Sequence, residues 1–388
     1  MWYLNINNFS LRDKLKICKF ILCKKNRWTQ DIQVKKFEQE MANYVGCKYA
    51  VFVSSGSTAN ELIAQYHKSI LGEKDIVVLP STTWQTSCSP WLKNGFKPHF
   101  IDISLEDFSI DKEKLTSFVK ENAEQIGCIF PTSLIGFSPD MDFYKNLQST
   151  YGVKIAFDNC ENTFGSFDKK NVSQYFTSST STYFGHQIQS IEGGFIFTNN
   201  EEEYKYYLIN RSHGMVRSLT PYGLDVKPLA NPKVDPLFDF YSLGSNYRNT
   251  DLNAFIGRLD FKRIPSYTKS RKKLYSLFRE ELDDSKFFLP KDRVRSEDSP
   301  FCLPIISKNK NKNFIDKCRK ICKDNHIEYR PIISGFLGYQ TCYEDYFNSH
   351  NDYKNSINIH ENGFYIGLHY GVKEESIKNI TKKLNEVK

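Results

Sequence analysis

Between Cys47 and Asn199 the chain alternates between two rhythms of apolar and polar positions. YAVFVSS (49–55), DIVVLPS (75–81), KPHFIDI (97–103), GCIFPTS (127–133) and KIAFDNC (154–160) are short apolar runs ending in small or polar groups. Such runs read as strands covered on both faces. NELIAQYHKSIL (60–71), SCSPWLKNG (87–95) and DFYKNLQSTYG (142–152) carry helical spacing instead. Further on, GGFIFTNN (193–200) predicts another strand and EEEYKYYLINRSHG (201–214) another helix. This alternation predicts an α/β fold with a mostly parallel sheet between helices and ligands at the carboxyl ends of its strands.

Past Pro265 the texture changes. A lysine-rich helix (268–284) leads to strand-like FCLPIIS (301–307), a helix over 311–326, strand-like IEYRPII (327–333) and a closing helix over 374–388. The division expected is an N-terminal segment (1–32), a large domain (33–264) and a smaller C-terminal α/β domain (265–388). Residues 220–246 hold several prolines and little periodicity, and read as a long functional loop. KLKICKFILCKK (14–25) reads as a packed amphipathic helix. No run approaches the roughly 18 apolar residues of a membrane span, and the first residues lack the apolar core of a secretory signal.

Composition narrows the picture slightly. With 40% hydrophobic and 15% aromatic residues, 388 positions can build a sizeable core, which excludes wholesale disorder. The net charge of +8 is spread along the chain, so a nucleic-acid arm is not expected, although the surplus would suit an anionic substrate. The ten cysteines are scattered, and the close pairs Cys18/Cys23 and Cys318/Cys322 lack zinc or redox spacing. No cysteine lies between Cys160 and Cys302, which rules out a compact iron–sulfur ligand set there. A reducing, cytosolic setting with free thiols is expected, and no metal site.

Three segments carry chemistry. Ser54-Ser55-Gly56-Ser57-Thr58 follows a predicted strand and opens a predicted helix, where backbone N–H groups and hydroxyls can cradle a phosphate or simply cap the helix. Asp158 ends the apolar run KIAF, where a carboxylate is costly unless it meets a cation or caps the following turn. The third is Ser181 to Gly194, with His186 six residues before the glutamate of Glu192-Gly193-Gly194.

Taken in this order, with PSTTW, DNCE, SPDMD, RSHG and NTDLNAFIGRLD, the segments resemble the DegT/StrS-type nucleotide-sugar aminotransferases over nearly the whole chain from Gln33. The resemblance implies the fold type I architecture of pyridoxal-phosphate (PLP) enzymes: a large domain with a mixed, mostly parallel sheet and a smaller α/β domain. It implies that Gly56, Ser57 and Ser181 hold the cofactor phosphate and that Trp84 stacks on the ring. Asp158 would pair with the ring nitrogen, and Glu161 would lie near the ring hydroxyl. Asn246 would reach the cofactor phosphate of a neighbouring subunit, making the protein a homodimer. Arg217, Arg248 and Arg330 are candidates for a nucleotide-sugar substrate's phosphates or sugar, or for structural ion pairs. His213 stands close by in RSHG.

The departure from that pattern is His186. The family carries a lysine there, and no lysine lies between Lys170 and Lys205. Histidine cannot tether the cofactor, but it can act as a base or acid near neutrality. Within the superfamily the substitution resembles the sugar 3-dehydratases, in which glutamate converts PLP to pyridoxamine phosphate (PMP). That form then removes the C3 hydroxyl of a nucleotide-linked 4-keto-6-deoxy sugar, with His186 as the catalytic group. The competing readings are a sugar 4-aminotransferase tethered through some other lysine and an inactive homologue kept for binding.

Overall fold

The computed structural model describes residues 1–7, 9–290, 295–309, 311–347 and 349–388. Its largest sheet is assembled from two hydrogen-bonded groups of strands. Lys97–Ile101, Ile76–Pro80 and Ile126–Ile129 lie side by side in parallel. Parallel bridges from Ile129 to Ile155 and from Thr132 to Asp158 join them to Phe157–Asp158. Ser178–Ser181 continues the parallel order, followed by Gly194–Thr198 and Tyr49–Val53. Only Gly194–Thr198 runs against its neighbours. The sheet is therefore mixed but mostly parallel, and its strand ends point loops 54–57, 81–84, 131–133, 158–161 and 181–186 in one direction.

Local signals explain the elements that matter. Ser55 caps the helix Gly56–Ile70 by accepting from the Thr58 N–H at 3.1 Å, and Ala59, Leu62, Ile63 and Tyr66 bury its inner face. The 201–214 helix stops at Asn210, because His213 and Gly214 take φ of 64° and 77° and turn the chain back. A buried ion pair pins this region: Arg211 Nη1 meets Glu38 Oε1 at 2.5 Å and the Phe52 carbonyl at 2.7 Å, and Tyr222 donates to Glu38 Oε2.

A second, antiparallel sheet orders Phe287–Phe288, Cys302–Ser307, Gly363–Gly367 and Tyr329–Arg330. The predicted strand 327–333 is cut to two residues, since Pro331 offers no N–H and Ile333 has φ of 51°. Helix Lys312–Asp324 buries Phe314, Ile315, Cys318 and Cys322 against it. The apolar core here also takes in Ile103, Phe108, Leu134, Ile135 and Phe137, so the two sheets share packing. Residues 1–32 do not stand apart. Trp2 bridges to Ile327, and helix Leu11–Leu22 packs onto Asp251–Phe261 with Phe20 stacked on Phe255 at 4.6 Å. Among the described residues no helix is long and apolar enough to cross a membrane.

Candidate active site

The strand ends of the large sheet and the edge of the second sheet enclose a cavity of about 870 Å³. At its floor stands Asp158, 2% exposed, fixed by donors from Asn60 Nδ2 at 2.9 Å, Ser87 Oγ at 2.6 Å and the Cys160 N–H at 3.1 Å. A carboxylate so buried is stable only with such donors and a cationic partner. Beside it, the first turn of helix Gly56–Ile70 presents Gly56 and Ser57. A Cβ on Gly56 would sit 2.9 Å from Cys160 Sγ and 3.0 Å from Ser181 Cβ, so only glycine lets the helix end approach this closely. The Ser57 hydroxyl pairs with that of Thr86 at 2.7 Å. Trp84, at the N-cap of helix Gln85–Lys93, lines the cavity and leaves 57% of its surface exposed.

His186 sits on the turn that follows Ser178–Ser181. Its Nδ1 lies 3.1 Å from the Cys160 carbonyl oxygen, which can only accept, so Nδ1 carries the proton and Nε2 keeps its lone pair. Burial pushes the imidazole pKa down to about 4, against the pull of the Asp158 charge and the Cys160 carbonyl. The Phe301 ring packs 5.4 Å away, centre to centre. The turn is clamped on its far side, where Gln187 donates to the Ser299 carbonyl and the Gln189 N–H donates to Asp260 Oδ2 at 3.0 Å. Glu161 accepts from the Ile135 N–H at 2.8 Å, and burial pushes its carboxyl up to about 8.

Of the residues singled out from the sequence, Gly56, Ser57, Trp84, Asp158, Glu161, Ser181, His186 and Arg330 line this one cavity. Arg330 reaches it from the second sheet and pairs with Glu328 Oε1 at 2.8 Å. Asn246, Arg217 and Arg248 do not line it within a single chain. Arg248 bonds Asn246 Oδ1 at 3.0 Å and His213 Nε2 at 3.1 Å, while Arg217 lies over the Phe238 ring. Sequence reasoning missed Phe301 and Cys302, which fall in the strand-like run 301–307, and Tyr365, which lies outside every predicted element. It also missed Tyr3–Asn7, whose partners lie more than 170 residues away. Among the described residues no cluster of three or more His, Cys, Asp or Glu could hold a metal ion.

Comparison with known proteins identifies the family and the fold. The model of the DegT/DnrJ/EryC1/StrS aminotransferase family matches residues 16–385. The GDP-4-keto-6-deoxy-D-mannose 3-dehydratase of Yersinia pseudotuberculosis is 29% identical over 362 residues, 92% of this chain and 91% of its own. The solved structure of the E. coli GDP-4-keto-6-deoxy-D-mannose 3-dehydratase with bound hydrated PLP superposes with a TM-score of 0.90 at 25% identity, covering 99% of each chain. A second structure of that enzyme, with a trapped PLP–glutamate geminal diamine, gives 0.89 at 26% identity, covering 99% of this chain and 100% of its own. The architecture is therefore that of the fold type I PLP enzymes.

Proposed function

The chain belongs to the DegT/DnrJ/EryC1/StrS aminotransferase family, and from that premise we propose that it is a PLP-dependent 3-dehydratase of a nucleotide-linked 4-keto-6-deoxy sugar. The observation that carries the proposal is that no lysine is among the described residues lining the cavity, whereas His186, which the family resemblance sets at its lysine position, does line it. Two features of the chain support the fit of the cofactor: a buried carboxylate, Asp158, in need of a cation, and a helix end at Gly56 bared of side chain. Gly56, Ser57 and Ser181 would hold the phosphate, Trp84 the ring face, Asp158 the ring nitrogen and Glu161 the ring hydroxyl. When bound, the cofactor supplies an amine and an electron sink.

The chain's own groups then do the proton work. With the cofactor held there, His186 Nε2 would be the base for the proton that the reaction must move. The Cys160 carbonyl steadies the imidazolium through Nδ1–H. Because burial disfavours that charge, the proton is readily given up again, and the departing C3 hydroxyl is the group that needs it. The balance closes: glutamate gives up its amine and two electrons to become 2-oxoglutarate, the C3–O bond breaks with its hydroxyl leaving as water, those two electrons and a proton end on C3 as its new C–H bond, and hydrolysis releases the nitrogen as ammonia. Without a lysine to recapture the cofactor, dehydration is favoured over amination.

The protein works as a homodimer in this reading. The loop carrying Asn246, Arg217 and Arg248 also exposes Val234, Leu237, Phe238, Phe240, Tyr241 and Leu243, an apolar set suited to a second copy. Paired this way, those polar groups would serve the neighbouring cavity. Ten cysteines held as thiols suit the cytosol. The test is incubation with PLP, glutamate and a panel of 4-keto-6-deoxy nucleotide sugars. Ammonia and a 3-deoxy product are expected. A 4-amino sugar, or a borohydride-trapped lysine adduct, would overturn the proposal.

A further inference from the structure

Residues 2–7 form an extended strap from the second sheet to the loop that carries His186. At one end Trp2 adds to the sheet edge. Its N–H donates to the His326 carbonyl at 2.9 Å, its carbonyl accepts from Glu328 N–H at 2.8 Å, and its indole donates to the Gly367 carbonyl at 2.9 Å. At the other end the Asn5 amide donates to the Phe184 carbonyl at 2.5 Å, two residues before His186. Between these anchors Tyr3–Asn7 line the cavity. The strap also reaches a charge: the Leu4 N–H donates to Glu328 Oε2 at 3.1 Å, and the other oxygen of that carboxylate holds Arg330. Gly367 makes the close approach possible, since a Cβ there would lie 2.4 Å from the Tyr3 carbonyl oxygen and 2.5 Å from that of Leu4.

We infer that this strap is the specificity-determining wall for the nucleoside diphosphate of the substrate; the inference rests on the reading of the substrate given above. Asp158, Gly56 and Ser181 come from the large sheet, while Arg330 and Tyr3–Asn7 bring the second sheet and the strap to the same cavity, so a sugar reacting over the first group finds the second within the same enclosure. A guanidinium suits diphosphate oxygens, and the chain Leu4–Glu328–Arg330 fixes where this one points. Glu328 is thus a positioning residue, and the strap supplies the order that holds it.

The test uses Asn5→Ala, which frees one anchor, and Gly367→Ala, which pushes the strap off without altering it. In each PLP-loaded variant the KM for the nucleotide sugar should rise about tenfold while kcat stays within about threefold, the pattern of lost ground-state binding. Calorimetry with GDP, UDP, CDP and dTDP should show the same weakening for whichever diphosphate the unmodified protein binds. Unchanged affinity in both variants, a fall in kcat at constant KM, or no diphosphate binding by the unmodified protein overturns the inference. If a diphosphate binds but no 3-deoxy sugar forms, the proposed reaction fails, and calorimetry alone still decides the role of the strap.

Discussion

An imidazole that stays neutral far below its ordinary range should leave its mark on the pH profile. His186 is surrounded by Phe301, the Cys160 carbonyl and the cavity floor, and burial brings its pKa down to about 4 from 6.5. The free base is the form that accepts a proton, so kcat/KM should stay level on the acid side until pH approaches about 4. At about pH 5.5 an ordinary histidine is only about a tenth neutral, whereas one at about 4 is nearly all neutral, so the two cases differ about tenfold in rate. The assay is release of ammonia under subsaturating nucleotide sugar, with PLP and glutamate in excess, across the acid range. His186→Asn should keep cofactor absorbance and lose the reaction. An acid limb centred near 6.5 in the unmodified protein would refute the desolvation argument, because the imidazole would then be as hydrated as a surface one.

Three other outcomes are expected. Glu38→Ala leaves the Arg211 guanidinium buried without its carboxylate and should cost about 3–5 kcal/mol of stability in denaturant titrations, whereas a purely surface pair would cost under 1. Gly56→Ala forces the helix end away from Cys160 and Ser181 and should weaken PLP binding about tenfold in an absorbance titration, with little change in melting temperature. His67, buried against Trp91, has its pKa lowered to about 3. The unfolded chain therefore binds that proton first, and stability that is full above about 6.5 falls by up to about 1.4 kcal/mol per pH unit toward about 3. His67→Leu should flatten that part of the acid-denaturation curve.

The fold and the large-sheet half of the candidate site were legible because each residue there is tied to a local signal. Gly56 and Ser57 lie where a strand period gives way to a helix period, and Asp158 ends an apolar run. His186 is conspicuous against the family pattern. The other half was not legible, and the reasons are physical. Cys302 and Tyr365 lie on strands whose faces look alike whether they meet core or ligand, and Phe301 stands just before the first of them. The raised pKa of Glu161 depends on burial by segments far along the chain, and nothing in DNCE states it. The strand expected at 327–333 failed at Pro331 and Ile333, where backbone restrictions outweighed apolar content. Asn246, Arg217 and Arg248 could be named from their motifs, but a single chain does not bring them to the cavity.

The indole of Trp2 bonds a carbonyl 365 positions away. A ribosome therefore makes the first part of this contact long before the second. While the middle of the chain emerges and the large sheet closes, the strap has only the Phe184 carbonyl to hold, and Asp158, Gly56 and His186 can come together around a pocket still lacking one side. The backbone of Trp2 can pair once His326 and Glu328 are out, but its indole is tied down only when Gly367 leaves the exit tunnel. Loop closure across such a span adds little free energy beyond that of a shorter one, so what it governs is timing: this side of the cavity is completed only after Gly367 has been made.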